Sequence, residues 1–220
     1  MRIRAFLLLG NKAYEMRAAE DKHDCKPLFD TLENITYTDG KNKEKSMSQS
    51  IRKQILCALF AAAMAICAQL SIPVGLVPIS MGSLAVLLAG GVLGKKYGTL
   101  SMVLYILLGA IGLPVFAMGK GGFSVLAGPT GGYIIGYVFM AFITGWFAEK
   151  YPQRKGMLLV GMVTGNLICY LFGTVWFMLV TQTAFWEALM LCVVPFLPGD
   201  AVKIVAAMLL SVKINKIIAR

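Results

Sequence analysis

Asp200 and Lys203 stand three residues apart in the run VVPFLPGDAVK, inside an otherwise apolar stretch. Residues at that spacing share a helix face, so the pair presents one acceptor and one donor at a fixed separation. Pro195, Pro198 and Gly199 interrupt the helix just before it. Asp200 precedes Lys213 by 13 residues, which at ~1.5 Å per residue puts it about 20 Å from the polar end of that run. A carboxylate and an ammonium at such depth are costly and mark a functional site. The pair suits a solute that offers N–H donors to the carboxylate and a carbonyl to the ammonium, as a cyclic urea or amide does. Asp200 also reads as the cap of the second half-helix, paired with Lys203. A structural role alone is the weaker reading, because an unbroken apolar helix costs less in lipid.

The segment 112–133, GLPVFAMGKGGFSVLAGPTGGY, is rich in glycine, yet Val115, Phe116, Phe123, Val125 and Leu126 keep it apolar. A solvated loop would be polar. Glycines permit positive φ and close approach, and binding residues concentrate on loops. The segment therefore reads as a lid over a pocket, with a purely structural re-entrant loop as the alternative. Lys120 at its centre suits an anionic solute. Gln69, Ser80, Ser83 and Asn166 are polar residues in apolar runs; singly, such residues more often bond helix to helix than contact a ligand. Tyr133, Tyr137 and Trp176 offer an apolar wall, or serve as packing and interfacial residues.

Helices must position these groups. The 220 residues are 58% hydrophobic and 15% charged, with mean hydropathy +0.72, more apolar and less charged than a soluble domain. From residue 54 onward, apolar runs alternate with short loops at 54–72, 76–94, 97–118, 130–148, 156–180 and 187–212. Most are long enough to cross a bilayer, and only helices bond their backbone internally there. The expected fold is an all-α membrane protein. Six transmembrane helices form a compact bundle, with a Gly-rich outer lid loop between helices 3 and 4.

The net charge is +10, and its distribution is a topological signal rather than a nucleic-acid one. With the N-terminus inside, Arg52, Lys53, Lys95, Lys96, Lys150, Arg154, Lys155, Lys213, Lys216 and Arg220 fall on the inner side and Lys120 on the outer side. Loops rich in Lys and Arg stay in the cytoplasm, so both ends are expected there. His23 is the single histidine, and the cysteines show no ligand spacing, so neither a metal site nor a His-dependent triad is expected. The chain carries no GxxxxGK[ST] phosphate loop and is not expected to power itself with ATP.

Residues 1–46 mix charged and polar residues without periodicity. They read as a disordered cytoplasmic tail or as a start-site extension, because Met47 directly precedes SQSIRKQ. Residues 47–220 form the membrane domain. In its first run, Ala58 and Ala62, with Ala65 and adjacent Ala61, make a small-residue stripe. Such a stripe serves equally an internal contact or the docking of another membrane subunit.

LAGGVLGKKYG, IGLPVFAMGKGG, LAGPTGGYIIGY and PFLPGDAVK closely resemble the BioY family, the biotin-specific substrate-binding (S) components of energy-coupling factor (ECF) transporters. The resemblance runs from about Gln54 to the C-terminus. It implies a multi-pass protein of a bacterial-type cell membrane that captures biotin from outside, with no cofactor of its own. It also implies partners: a transmembrane coupling (T) component, towards which Ala58 and Ala62 would face, and two ABC-type ATPase subunits. By the same likeness Asp200 and Lys203 contact biotin, Lys120 lies at the site, and Tyr133 matches the tyrosine of GPTGGY. Two positions depart from the pattern. Gly82 and Ser83 stand where members often carry Gln-Thr or Gln-Asn, and Ile134 stands where some carry Arg.

The expected function is therefore that of a biotin-binding importer subunit rather than an enzyme. Asp200 and Lys203 would hold the ureido ring, Phe116, Tyr133 and the lid the apolar body, and Lys120 the carboxylate, with Ser83 as a replacement polar contact. An S component for another small vitamin and a self-sufficient small-solute carrier are the alternatives.

Overall fold

The computed structural model describes residues 51–72, 77–152 and 154–218. The expected tail, 1–46, lies outside the described residues. Helix α1 (Ile51–Gln69) turns one stripe inward. Cys57, Ala61, Met64 and Ala68 recur at helical spacing and are buried, whereas Ile55, Leu59 and Ile66 face outward. Ala58 and Ala62 are exposed, so the internal-contact reading holds for Ala61 and not for them.

A short antiparallel ribbon follows, β1 (Ser71–Ile72) and β2 (Ile79–Ser80), with Ser71 opposite Ser80 and Ile72 opposite Ile79. The second apolar run was expected to be helical from Leu76; its helix, α2 (Gly82–Ala110), instead starts at Gly82. Pro78 lacks an amide hydrogen and disfavours helix in the residue before it.

The second and third runs are the two arms of α2, which reverses direction at Gly94 (φ 77°, ψ −176°). Only glycine adopts that conformation readily. A Cβ on Gly98 would sit 2.9 Å from the Ala89 carbonyl oxygen, so the second arm folds back along the first. Glu149 of α4 (Gly131–Lys150) clips the reversal: its Oε1 accepts from the Lys95 backbone N–H at 3.0 Å, and Oε2 lies 3.7 Å from Lys95 Nζ. The third run was expected to reach Met118 but leaves the helix at Ala110. Gly112 follows at φ 104°, then Pro114, a 3-10 turn at Ala117–Gly119 and the short helix α3 (Phe123–Ala127).

Helix α5 (Lys155–Thr181) packs on α4 through glycines. A Cβ on Gly136 would meet Cys169 Sγ at 3.0 Å, and one on Gly165 would meet the Met140 carbonyl oxygen at 3.0 Å. In lipid, association depends on such close packing rather than on exclusion from water. The last run is broken as expected. Helix α6 (Phe185–Cys192) and helix α7 (Leu197–Ile218) meet at a 50° bend, with Pro198 and Gly199 in the first turn of α7, where proline is tolerated.

By length and composition α1, α4 and α5 can cross a membrane, and the bent α6–α7 pair makes a fourth candidate. Each arm of α2 is shorter than the ~20 residues that usually span. Leu167, Leu171, Leu179, Val202 and Leu209 point outward, an apolar surface suited to lipid and not to water. Basic residues gather at one end. Lys53 Nζ lies 5.6 Å from the Tyr97 ring, Lys95 meets Glu149, Lys150 lies over Trp146, and Asn215 of α7 donates to the Gly91 carbonyl at 3.0 Å. Gln69, at the other end of α1, meets the loop that carries Lys120.

Candidate solute-binding site

The helix break brings Asp200 into the bundle interior, where the residue is 5% exposed and Lys203 6%. Lys203 Nζ lies 2.9 Å from Oδ1 of Asp200. Ser83, from the first arm of α2, donates its hydroxyl to the same oxygen at 3.2 Å. Oδ2 accepts from Tyr170 OH at 2.5 Å and from Asn166 Nδ2 at 3.5 Å, both on α5. Lys203 Nζ also donates to the Ser80 carbonyl at 2.8 Å, on β2. Three elements far apart in sequence thus satisfy one carboxylate, and the ammonium ties the ribbon to α7. A buried charge persists only when paired and bonded in this way.

Asp200 and Lys203 open onto a cavity of about 130 Å³. One water needs ~10–15 Å³ by this measure, so the space suits an organic molecule and not a bare ion. Its other walls are mostly apolar, among them Phe116, Tyr105, Tyr137, Ile134 and Phe196. Phe116 comes from the loop after α2, is fully buried, and meets Tyr105 edge-on at 5.6 Å. Its ring fills the space a Cβ on Gly109 would take. Ala117, Met118 and Lys120 of the same loop also border the cavity, and Lys120 is solvent-exposed. A buried acceptor and donor at one side, apolar walls between, and an exposed cation at the loop suit an elongated solute with a polar cyclic head and an anionic tail.

All six residues expected at the site, Asp200, Lys203, Lys120, Tyr133, Phe116 and Ser83, line this cavity. Tyr133 does so with its ring, packed on Gly173. Its hydroxyl is committed elsewhere, donating at 3.2 Å to the Cys192 carbonyl, one of those freed by the α6–α7 break. Trp176 is not a wall residue; its indole N–H donates to the Gly128 carbonyl at 3.0 Å and braces the loop before α4. Asn166, singled out only as a helix–helix bond, reaches Asp200 and lines the cavity. Tyr170 was missed. The available signal was its place one turn after Asn166 on the same face of α5.

At the two departing positions, Ser83 is bonded to both members of the ion pair, and Ile134 is a buried apolar wall residue. Gly82 lacks a side chain where a Cβ would stand 3.0 Å from Met64 Cε.

A predominantly helical, lipid-suited bundle enclosing a paired charge at an apolar cavity defines a membrane protein that binds a small organic solute. The comparisons narrow that class. The model of the BioY family matches residues 41–220, and the chain belongs to the BioY family. The biotin transporter BioY of Thermotoga maritima is 41% identical over 167 residues, covering 76% of this chain and 98% of that protein. The probable biotin transporter BioY of Pyrococcus horikoshii is 39% identical over 160 residues, 73% of this chain and 94% of that one. The crystal structure of the S-component for biotin from an ECF-type ABC transporter superposes with a TM-score of 0.72 at 30% identity, covering 77% of this chain and 93% of its own. These relatives are transport proteins, not enzymes.

Proposed function

We propose that this chain is the substrate-capturing S component of an ECF-type importer in the cell membrane, and that its solute is biotin. The buried Asp200–Lys203 pair at the cavity carries the reading, in a chain whose relatives are named for biotin transport. The ureido N–H groups face Asp200 and the ureido carbonyl faces Lys203. A carboxylate offers about four acceptor positions, and Asp200 already receives four donors. A ligand N–H therefore displaces the longest of these, from Ser83 or Asn166, and leaves Tyr170 and Lys203 in place. Phe116 and the Tyr133 ring take the apolar body, and Lys120 takes the carboxylate.

The protein crosses the membrane six times with both ends in the cytoplasm. The arms of α2 make the second and third crossings, and the α6–α7 pair makes the sixth. The gathering of Lys53, Lys95 and Lys150 at one end, opposite the Lys120 loop, supports this orientation. The segment 112–133 acts as the lid. A T component docks on the exposed Ala58 and Ala62 face of α1, and two ABC-type ATPase subunits supply the energy.

The test is equilibrium binding of labelled biotin to the purified protein, with unlabelled biotin, thiamine and riboflavin as competitors. Displacement by biotin alone is expected; displacement by thiamine or riboflavin moves the site to another vitamin. Biotin uptake by vesicles holding this chain alone would replace the S-component reading with a self-sufficient carrier.

A further inference from the structure

Gln69 ends α1 and reaches across to the loop that carries Phe116, Met118 and Lys120. Its Nε2 donates to the carbonyls of Pro114 at 2.9 Å and Phe116 at 3.1 Å, and its Oε1 accepts from the Gly119 backbone N–H at 2.8 Å. One side chain thus brackets a four-residue turn from both ends. Inside that bracket Met118 holds φ 62° and ψ 31°. A left-handed conformation is unfavourable for a residue with a Cβ and persists only where its surroundings over-determine it. Within the turn itself one backbone bond runs from the Phe116 N–H to the Lys120 carbonyl at 2.9 Å, and the buried Phe116 ring anchors its first residue against Tyr105 and Gly109. The turn's residues form one wall of the cavity. We infer that Gln69 is a clasp: a positioning residue that keeps the strained 116–119 turn closed over the cavity and so sets how fast the solute leaves. The clasp stands on α1, so the seating of α1 through Cys57, Ala61, Met64 and Ala68 is part of what holds the loop.

The retention half of this inference rests on the biotin reading; the clasp itself does not. The experiment therefore has two arms, both on the whole protein in nanodiscs. Gln69 is exposed at a helix end, so Gln69→Leu removes three hydrogen bonds without opening the core. In the first arm, amide hydrogen exchange is followed without solute. The peptide over residues 114–121 is expected to exchange about tenfold faster in Gln69→Leu, as for loss of about three partly exposed bonds, while peptides of α4 and α5 stay unchanged. In the second arm, labelled biotin is chased with unlabelled biotin. Dissociation is expected to be about tenfold faster in Gln69→Leu. Gln69→Glu, which keeps the acceptor for Gly119 and loses both donor bonds to Pro114 and Phe116, is expected to exchange and release faster than the parent protein. Unchanged exchange in 114–121 overturns the clasp. Faster exchange with unchanged biotin release overturns its role in retention. Failure of the parent protein to bind biotin overturns the solute assignment instead, and the first arm still decides the clasp.

Discussion

Tyr170 of α5 donates its hydroxyl to Oδ2 of Asp200 at 2.5 Å, from 30 residues earlier in the chain. The bond is the shortest that this carboxylate receives. It leaves Oδ1 to Lys203 and Ser83, so Tyr170 sets the plane in which the carboxylate meets a solute. Tyr170→Phe keeps the ring and removes the donor. Hydrogen bonds to charged groups are worth about 1.5–3 kcal/mol. Biotin affinity in Tyr170→Phe is therefore expected to fall by about tenfold or more in equilibrium binding, and an unchanged Kd would remove the phenol from the site.

Asp200 and Lys203 are coupled, and single changes should cost more than the double change. Lys203→Met leaves a buried carboxylate without its cation, and breaking a buried pair costs about 3–5 kcal/mol. The midpoint of thermal unfolding should drop sharply in Lys203→Met and recover in the double variant Asp200→Asn with Lys203→Met. Biotin binding should be lost in all three, Asp200→Asn alone included. Tight binding by Asp200→Asn would exclude the carboxylate as the ureido acceptor.

Lys120 is the exposed cation at the cavity. If it meets the solute carboxylate, Lys120→Met should weaken biotin binding by about tenfold, as for loss of a charge-assisted bond, and leave the affinity for biotin methyl ester unchanged. Equal losses for acid and ester would assign Lys120 to the loop's structure instead.

Gly94 is the hinge of α2. An added Cβ there would both strain the backbone and collide with the Glu149 carboxylate. Gly94→Ala is expected to destabilise the protein by about 1–3 kcal/mol, read as a lower unfolding midpoint in detergent. Glu149→Gln, which keeps the shape and loses the charge of an exposed pair, should cost under about 1 kcal/mol. An unaffected Gly94→Ala would mean that the reversal does not need its glycine.

Much of this site was legible because the signal was local. A carboxylate and an ammonium three residues apart after Pro198 and Gly199 share a helix face wherever that helix lies, so Asp200 and Lys203 announce themselves. Lys120 and Phe116 were legible from the unusual apolarity of a glycine-rich segment. Tyr170 and Gln69 were not. Tyr170 acts through a partner on another helix, and Gln69 through backbone carbonyls 45 and 47 residues away; the spacing of Tyr170 from Asn166 gives its helix face but not the partner that face meets, and a lone Gln at a helix end gives neither.

The chain's apolar runs, their punctuation and the placement of its basic residues by themselves determined a helical membrane protein with a paired charge beside a break. Those features depend only on spacing along the chain and on the cost of placing polar groups in lipid. The tertiary structure decided the rest. It folded two runs into one reversing helix at Gly94, shortened the second run behind Pro78, brought Ser83 within 3.2 Å of Asp200 across 117 residues, and committed the Tyr133 hydroxyl to the α6–α7 break and not to the cavity. Each of these follows from which helix faces meet, and that depends on close packing at glycines such as Gly136 and Gly165, which no single segment specifies alone.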